Sequence, residues 1–182
     1  KREHAGAIED YNRAILLDRN NHLLYHNRAI AIAQMGNLKE AIENFKKALE
    51  LDPKDLQTYN NLGAAYVELG KFNQATELFS QALKLDSQDS QIYQNLGVVR
   101  FKAGDKQGAI ANYNQAIKLN PNKAETYYNR GVTYRFLGDN QDAINDFTKV
   151  LQLNPRVVDA YTQRGICLLH TSPSPRDRYI SR

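Results

Sequence analysis

Cysteine is almost absent from this chain. The single Cys167 rules out a disulfide within the chain and leaves too few soft ligands for a structural zinc site. Long apolar runs are missing too: none approaches the roughly 20 residues of a membrane-spanning helix. The opening residues Lys1, Arg2, Glu3 and His4 include no methionine and lead into no signal-like stretch, so the expected start is not a natural N-terminus. Charge of one sign is also scarce. The net charge is +4, and setting aside residues 167–182 leaves 21 basic and 19 acidic residues, without the basic stripe of a nucleic-acid footprint. His4, His22 and His26 lack the grouping and carboxylate support of a metal site and read as solvated helix surface. Glycines occur singly, so no phosphate-cradling loop is expected, and no Ser/His/Asp or Cys/His set can be assembled. The expectations are therefore no catalytic residue, no cofactor, no metal, no membrane and no evident small-molecule substrate. What remains is a protein or peptide partner, and the scarcity of cysteine suits the cytoplasm.

Hydrophobic residues make up 42% of the chain, enough to build a core, and they are arranged periodically. Tyr25, Tyr59, Tyr93, Tyr127 and Tyr161 recur every 34 residues. So do Gly63, Gly97, Gly131 and Gly165, with Ala29 one step earlier. Further series are Gly36, Gly70, Gly104 and Gly138, then Ala7, Ala41, Ala75, Ala109 and Ala143, then the aromatics Tyr11, Phe45, Phe79, Tyr113 and Phe147. Ala14, Ala48, Ala82 and Ala116 follow, and Pro53, Pro121 and Pro155 close three units. Such a register is the mark of a repeat architecture.

Each series has a physical task. Apolar and small residues at helical spacing give two amphipathic helices per unit. The Gly36 series lies between them, where a residue without Cβ can take a positive φ and end the first helix. The Gly63 series lies inside the first helix, where glycine costs about 1 kcal/mol relative to alanine, a penalty that makes sense if another helix approaches closely. Asp52-Pro53, Asn120-Pro121 and Asn154-Pro155 stop the second helix.

This pattern resembles the tetratricopeptide repeat (TPR) family over about residues 5–166. The resemblance implies an all-α fold, a right-handed superhelical solenoid of antiparallel helix pairs with a concave inner face. The expected organisation of the array, 1–166, is a partial unit 1–21, full units 22–55, 56–89, 90–123 and 124–157, and a partial unit 158–166. The first helix is expected to fray and the middle units to be firmest. Residues 167–182 break the repeat and resemble the translation of a sequencing-library adapter, so the expectation is a non-native tail.

In TPR proteins the first helix of each unit lines the groove, at positions corresponding here to Leu23, His26, Asn27, Ile30 and Gln34 and their 34-residue equivalents. One column is carboxamide throughout: Asn27, Asn61, Asn95, Asn129 and Gln163. A carboxamide both donates and accepts, which matches the backbone of an extended peptide, and some TPR arms use such an asparagine ladder. Around it the expected groove residues are Asn60, Gln94, Tyr128, Val98 and Phe101. TPR domains that clamp the terminal carboxylate of heat-shock chaperones need cations where Leu23 and His26 stand, so no such clamp is expected.

Asp10 precedes Arg28 by 18 residues, Asn112 precedes Arg130 and Asp146 precedes Arg164 at the same step, while Asn44 precedes Leu62 and Leu78 precedes Leu96. Arginine thus stands opposite Asp or Asn, as a partly buried guanidinium requires. The expectation is pairing between the second helix of one unit and the first of the next. The functional expectation is a protein–protein interaction scaffold that binds an extended segment in the groove. The alternative is a substrate-recruiting arm of a larger enzyme such as a glycosyltransferase. An RNA-binding helical repeat conflicts with the near-neutral charge.

Overall fold

The computed structural model describes residues 2–171. These residues form ten α-helices and no strand: α1 (Arg2–Leu17), α2 (His22–Gln34), α3 (Leu38–Leu51), α4 (Leu56–Glu68), α5 (Phe72–Leu85), α6 (Ser90–Lys102), α7 (Lys106–Leu119), α8 (Ala124–Leu137), α9 (Asn140–Leu153) and α10 (Val158–Thr171). The fold is an all-α helical-repeat solenoid, with the even-numbered helices as the first of each pair.

Punctuation is local chemistry. Asn21, Asp55 and Asp89 accept the backbone N–H groups of Leu23, Gln57 and Gln91 at 3.2, 3.0 and 2.7 Å, starting α2, α4 and α6. Gly36, Gly70, Gly104 and Gly138 have φ of 91, 70, 91 and 87°, the left-handed turn expected between the helices of a pair. The second helices end on Asp52, Asp86, Asn120 and Asn154, whose side chains accept N–H groups two residues on at 3.0, 2.8, 3.3 and 3.1 Å. That turn forms at Asp86 with Ser87 in place of proline, so the carboxylate or carboxamide is the common element.

The helical glycines mark close contacts within a pair. A Cβ on Gly63 would lie 2.2 Å from the Phe79 ring, and one on Gly97 2.4 Å from Tyr113. On Gly131 it would meet Phe147 at 3.0 Å. The aromatic ring of the second helix therefore rests on the glycine of the first. Tyrosines secure the entry to a pair: the Tyr25 hydroxyl donates to the Arg19 carbonyl and Tyr127 to the Pro121 carbonyl, each at 3.1 Å.

The chain divides into two compact units, residues 1–88 and 89–182. In the first, α1 to α5 pack in chain order and α2 also touches α4. Its core holds Ala29, Ile32, Phe45, Leu62 and Phe79. In the second, α6 to α10 pack in the same way, with α8 touching α6 and α10. Ile92, Leu96, Tyr113, Phe147 and Val150 fill its core. The helix of the last partial repeat does not end at residue 166: α10 continues to Thr171. Cys167, assigned from sequence to a foreign tail, is buried in a cluster with Ala143 and Phe147. The rest of the adapter-like stretch, 172–182, lies outside the described residues.

Candidate interaction surface

In the first unit, the exposed faces of α2 and α4 frame a shallow pocket of about 270 Å³. Ile30, Gln34, Leu38, Phe45, Asn61, Ala64 and Glu68 line it, so it is mainly apolar, with two carboxamides and one carboxylate in its lining. Behind Asn61 is a polar chain that the sequence reading missed. His26, expected in solvent, is only 2% exposed. Its Nδ1 lies 2.5 Å from Thr58 Oγ1, the Thr58 hydroxyl donates to Asp55 Oδ2, and Asn61 Nδ2 stands 3.4 Å from His26 Nε2. The His26 ring also meets Phe45 edge-on, with centroids 5.7 Å apart. Burial pulls the imidazole below the ordinary histidine value, with Asp55 opposing and His22 assisting.

The second unit uses the same column differently. Gln94, expected to face the groove, is buried and accepts the Thr126 hydroxyl at 2.7 Å. It therefore bonds one first helix to the next, as His26 does to Thr58. In both cases the partner lies 32 residues on, a polar residue followed by threonine at that step, and that spacing was the available signal. Asn95 Oδ1 accepts from Gln91 Nε2 at 2.9 Å, and Lys123 Nζ donates to Gln91 Oε1. Tyr128 is half-buried with its ring edge-on to Phe147 at 5.7 Å. Beside it is a second pocket lined by Ala124, Glu125, Val150 and Asp159. Phe101 packs edge-on against Phe136 at 5.4 Å, and Val98 is half-buried.

Asn27, Asn61, Asn95, Asn129 and Gln163 are all half-buried, as is Asn60. The ladder is thus neither sunk in the core nor wholly solvated. Gln163 Oε1 is buried without a hydrogen-bond partner among the described residues.

The arginine column pairs at a step different from the expected one. Arg130 Nε and Nη2 donate to Asp146 at 2.8 and 2.7 Å, a partner 16 residues later in its own repeat. Arg28 Nε likewise donates to Asn44 at 2.8 Å. The reach to the preceding repeat is to Asn12 for Arg28, Asn114 for Arg130 and Thr148 for Arg164, at 2.7, 2.5 and 3.2 Å. The expected pairs of Arg28 with Asp10, Arg130 with Asn112 and Arg164 with Asp146 give way to these. Asn112 instead donates to the Gly108 carbonyl of its own helix at 3.1 Å. Each arginine also covers the tyrosine one turn earlier, Tyr25, Tyr127 or Tyr161, at 5.5, 5.7 and 5.6 Å.

Tetratricopeptide repeat models match residues 20–88 and 124–157, and a TPR repeat model matches 99–138. A solved structure of MamA protein is 30% identical, with a TM-score of 0.70 over 81% of this chain and 80% of that one. The chain belongs to the tetratricopeptide repeat family. YrrB, described as a TPR protein with an unusual peptide-binding site, is 25% identical with a TM-score of 0.69, covering 90% of this chain and 84% of its own. TTC0263, a thermophilic TPR protein in Thermus thermophilus, shares the fold at a TM-score of 0.77 and 22% identity, over 91% of each chain. No curated protein matches the chain. TPR proteins are generally non-catalytic, and this TPR chain is a protein-interaction scaffold. No described helix is long and apolar enough to cross a membrane.

Proposed function

We propose that this TPR scaffold binds an extended peptide or partner segment along the first helices of its repeats. The observation that carries this reading is the half-buried carboxamide column Asn27, Asn61, Asn95, Asn129 and Gln163, with an apolar pocket opening beside Asn61. Carboxamides at a regular step meet the alternating donors and acceptors of peptide backbone, while the pocket takes a side chain. Each such hydrogen bond contributes only about 1 kcal/mol net, so useful affinity requires several repeats acting together. The likeness to YrrB, whose structure is described as having a peptide-binding site, supports the same reading.

The test is a peptide-array screen of the chain and of a variant with Asn61, Asn95 and Asn129 changed together to Ala. Loss of peptide binding by a variant that keeps its helical circular dichroism supports the groove. Undiminished binding would move the function to another face.

A further inference from the structure

The hydrogen-bond chain behind Asn61 has a determined polarity. The Asp55 carboxylate only accepts, so the single Thr58 hydroxyl proton goes to it. Thr58 Oγ1 must then accept at its other contact, which makes His26 Nδ1, 2.5 Å away, the protonated nitrogen. In neutral imidazole the other nitrogen is bare. His26 Nε2 therefore accepts from Asn61 Nδ2, and the Asn61 carbonyl oxygen is left for the groove. Each step follows from donor and acceptor inventory, beginning from a group that cannot donate.

We propose that His26, held by Thr58 and Asp55, is a positioning residue that presents Asn61 to the groove as a hydrogen-bond acceptor, so that the neighbouring pocket takes an aliphatic residue whose own peptide N–H donates to Asn61. This rests on the groove reading above. The match is one of polarity: an acceptor of fixed direction stands beside a cup whose apolar lining is Ile30, Leu38, Phe45 and Ala64, with Gln34 and Glu68 as its other polar members. An extended strand offers such a pair wherever an aliphatic residue turns its side chain and N–H toward the same wall.

Protonating His26 reverses the arrangement. Both ring nitrogens then donate, Nε2–H repels the Asn61 amino group, and the carboxamide must turn its oxygen inward. The charged or titratable groups facing His26 are Asp55 at 3.7 Å and His22 on its own helix, the latter 3.6 Å from Asp52. From α3 the uncharged Phe45 ring meets it edge-on. Acid therefore converts the subsite from one that accepts a peptide N–H to one that donates to a carbonyl.

The experiment is nitrogen-15 NMR of the full chain at about pH 7.5, where an ordinary histidine is neutral. The expected result is His26 as the Nδ1–H tautomer with a through-hydrogen-bond coupling from Nε2 to Asn61 Nδ2. Thr58→Ser keeps both signatures, and Thr58→Val loses the coupling. An Nε2–H tautomer in the wild type, or no response to Thr58→Val, would overturn the relay. A peptide array of alternating Leu and Ser, with and without N-methylated leucines, then tests the occupant. N-methylation should weaken wild-type binding about five- to tenfold and leave Asn61→Ala unaffected. If no arrayed peptide binds while the tautomer stands, the groove reading and the occupant fall and the relay survives.

Discussion

Arg130 holds both carboxylate oxygens of Asp146, through Nε at 2.8 Å and Nη2 at 2.7 Å. Asp146 is only 4% exposed, and burial lifts its carboxyl above the ordinary value even with the guanidinium bonded to it. The same two columns hold Leu62 and Leu78 in the repeat at 56–89, so these two positions carry either an ion pair or two leucines. Removing one partner strands a buried charge, whereas replacing both with apolar residues is often neutral. Arg130→Leu should therefore lose about 3–5 kcal/mol. The double change Arg130→Leu with Asp146→Leu should recover most of that loss in urea denaturation. A double variant as weak as the single would show that the pair cannot be replaced.

Gly97→Ala and Gly131→Ala gain equally in helix propensity, but they meet different surroundings. The new methyl would stand 2.4 Å from Tyr113 in the first case and 3.0 Å from Phe147 in the second. Overpacking of this kind costs about 1–3 kcal/mol. Gly97→Ala should fall at the upper end and Gly131→Ala well below it, as read from their thermal midpoints. Equal losses would mean that ring position does not govern the contact.

Acid should destabilise the first unit through His26. Its folded value lies below the ordinary one because burial disfavours the charged ring. The contribution is complete above the unfolded value of about 6.5. As pH falls below that point the unfolded chain takes up a proton that folded His26 resists, and stability declines down through the folded value. Melting curves across this window should show the decline, and His26→Gln should flatten it. A variant as pH-sensitive as the wild type would assign the effect to another group.

Tyr127→Phe removes a hydroxyl that donates to the Pro121 carbonyl at 3.1 Å and leaves the ring in place. A loss of about 1 kcal/mol is expected, and hydrogen exchange should speed up at the start of α8. Unchanged exchange there would mean that the bond does not hold the turn.

The helix pairs, the left-handed glycines and the close helix approach at the helical glycines were legible because each depends on one residue type recurring in one place, whereas the aromatic ring that makes that approach was not read. The arginine partners were not, for an arithmetical reason. In a 34-residue repeat, a step of 16 within a unit and a step of 18 between units join the same two columns. Matching columns reveal that Arg130 needs an Asp or Asn but not which repeat provides it. Geometry decides for Asp146. His26 and Gln94 were misplaced because groove residues and contacts between successive first helices lie on adjoining faces of one helix. A single sequence shows their helical position but not how deeply the next repeat covers it.

The arginines also reach backward, and that constrains the order of the modules. Arg28, Arg130 and Arg164 bond to Asn12, Asn114 and Thr148 of the repeat before. The repeat at 22–55 carries Lys46 in that column, and its successor has Leu62 where the arginine would stand. A module bearing Arg130 placed directly after Lys46 would set two cations face to face. These repeats are therefore not interchangeable beads. Asn12, Asn114 and Thr148 each stand on a trailing helix as the partner of the next repeat's arginine, so the chain has a syntax as well as a period.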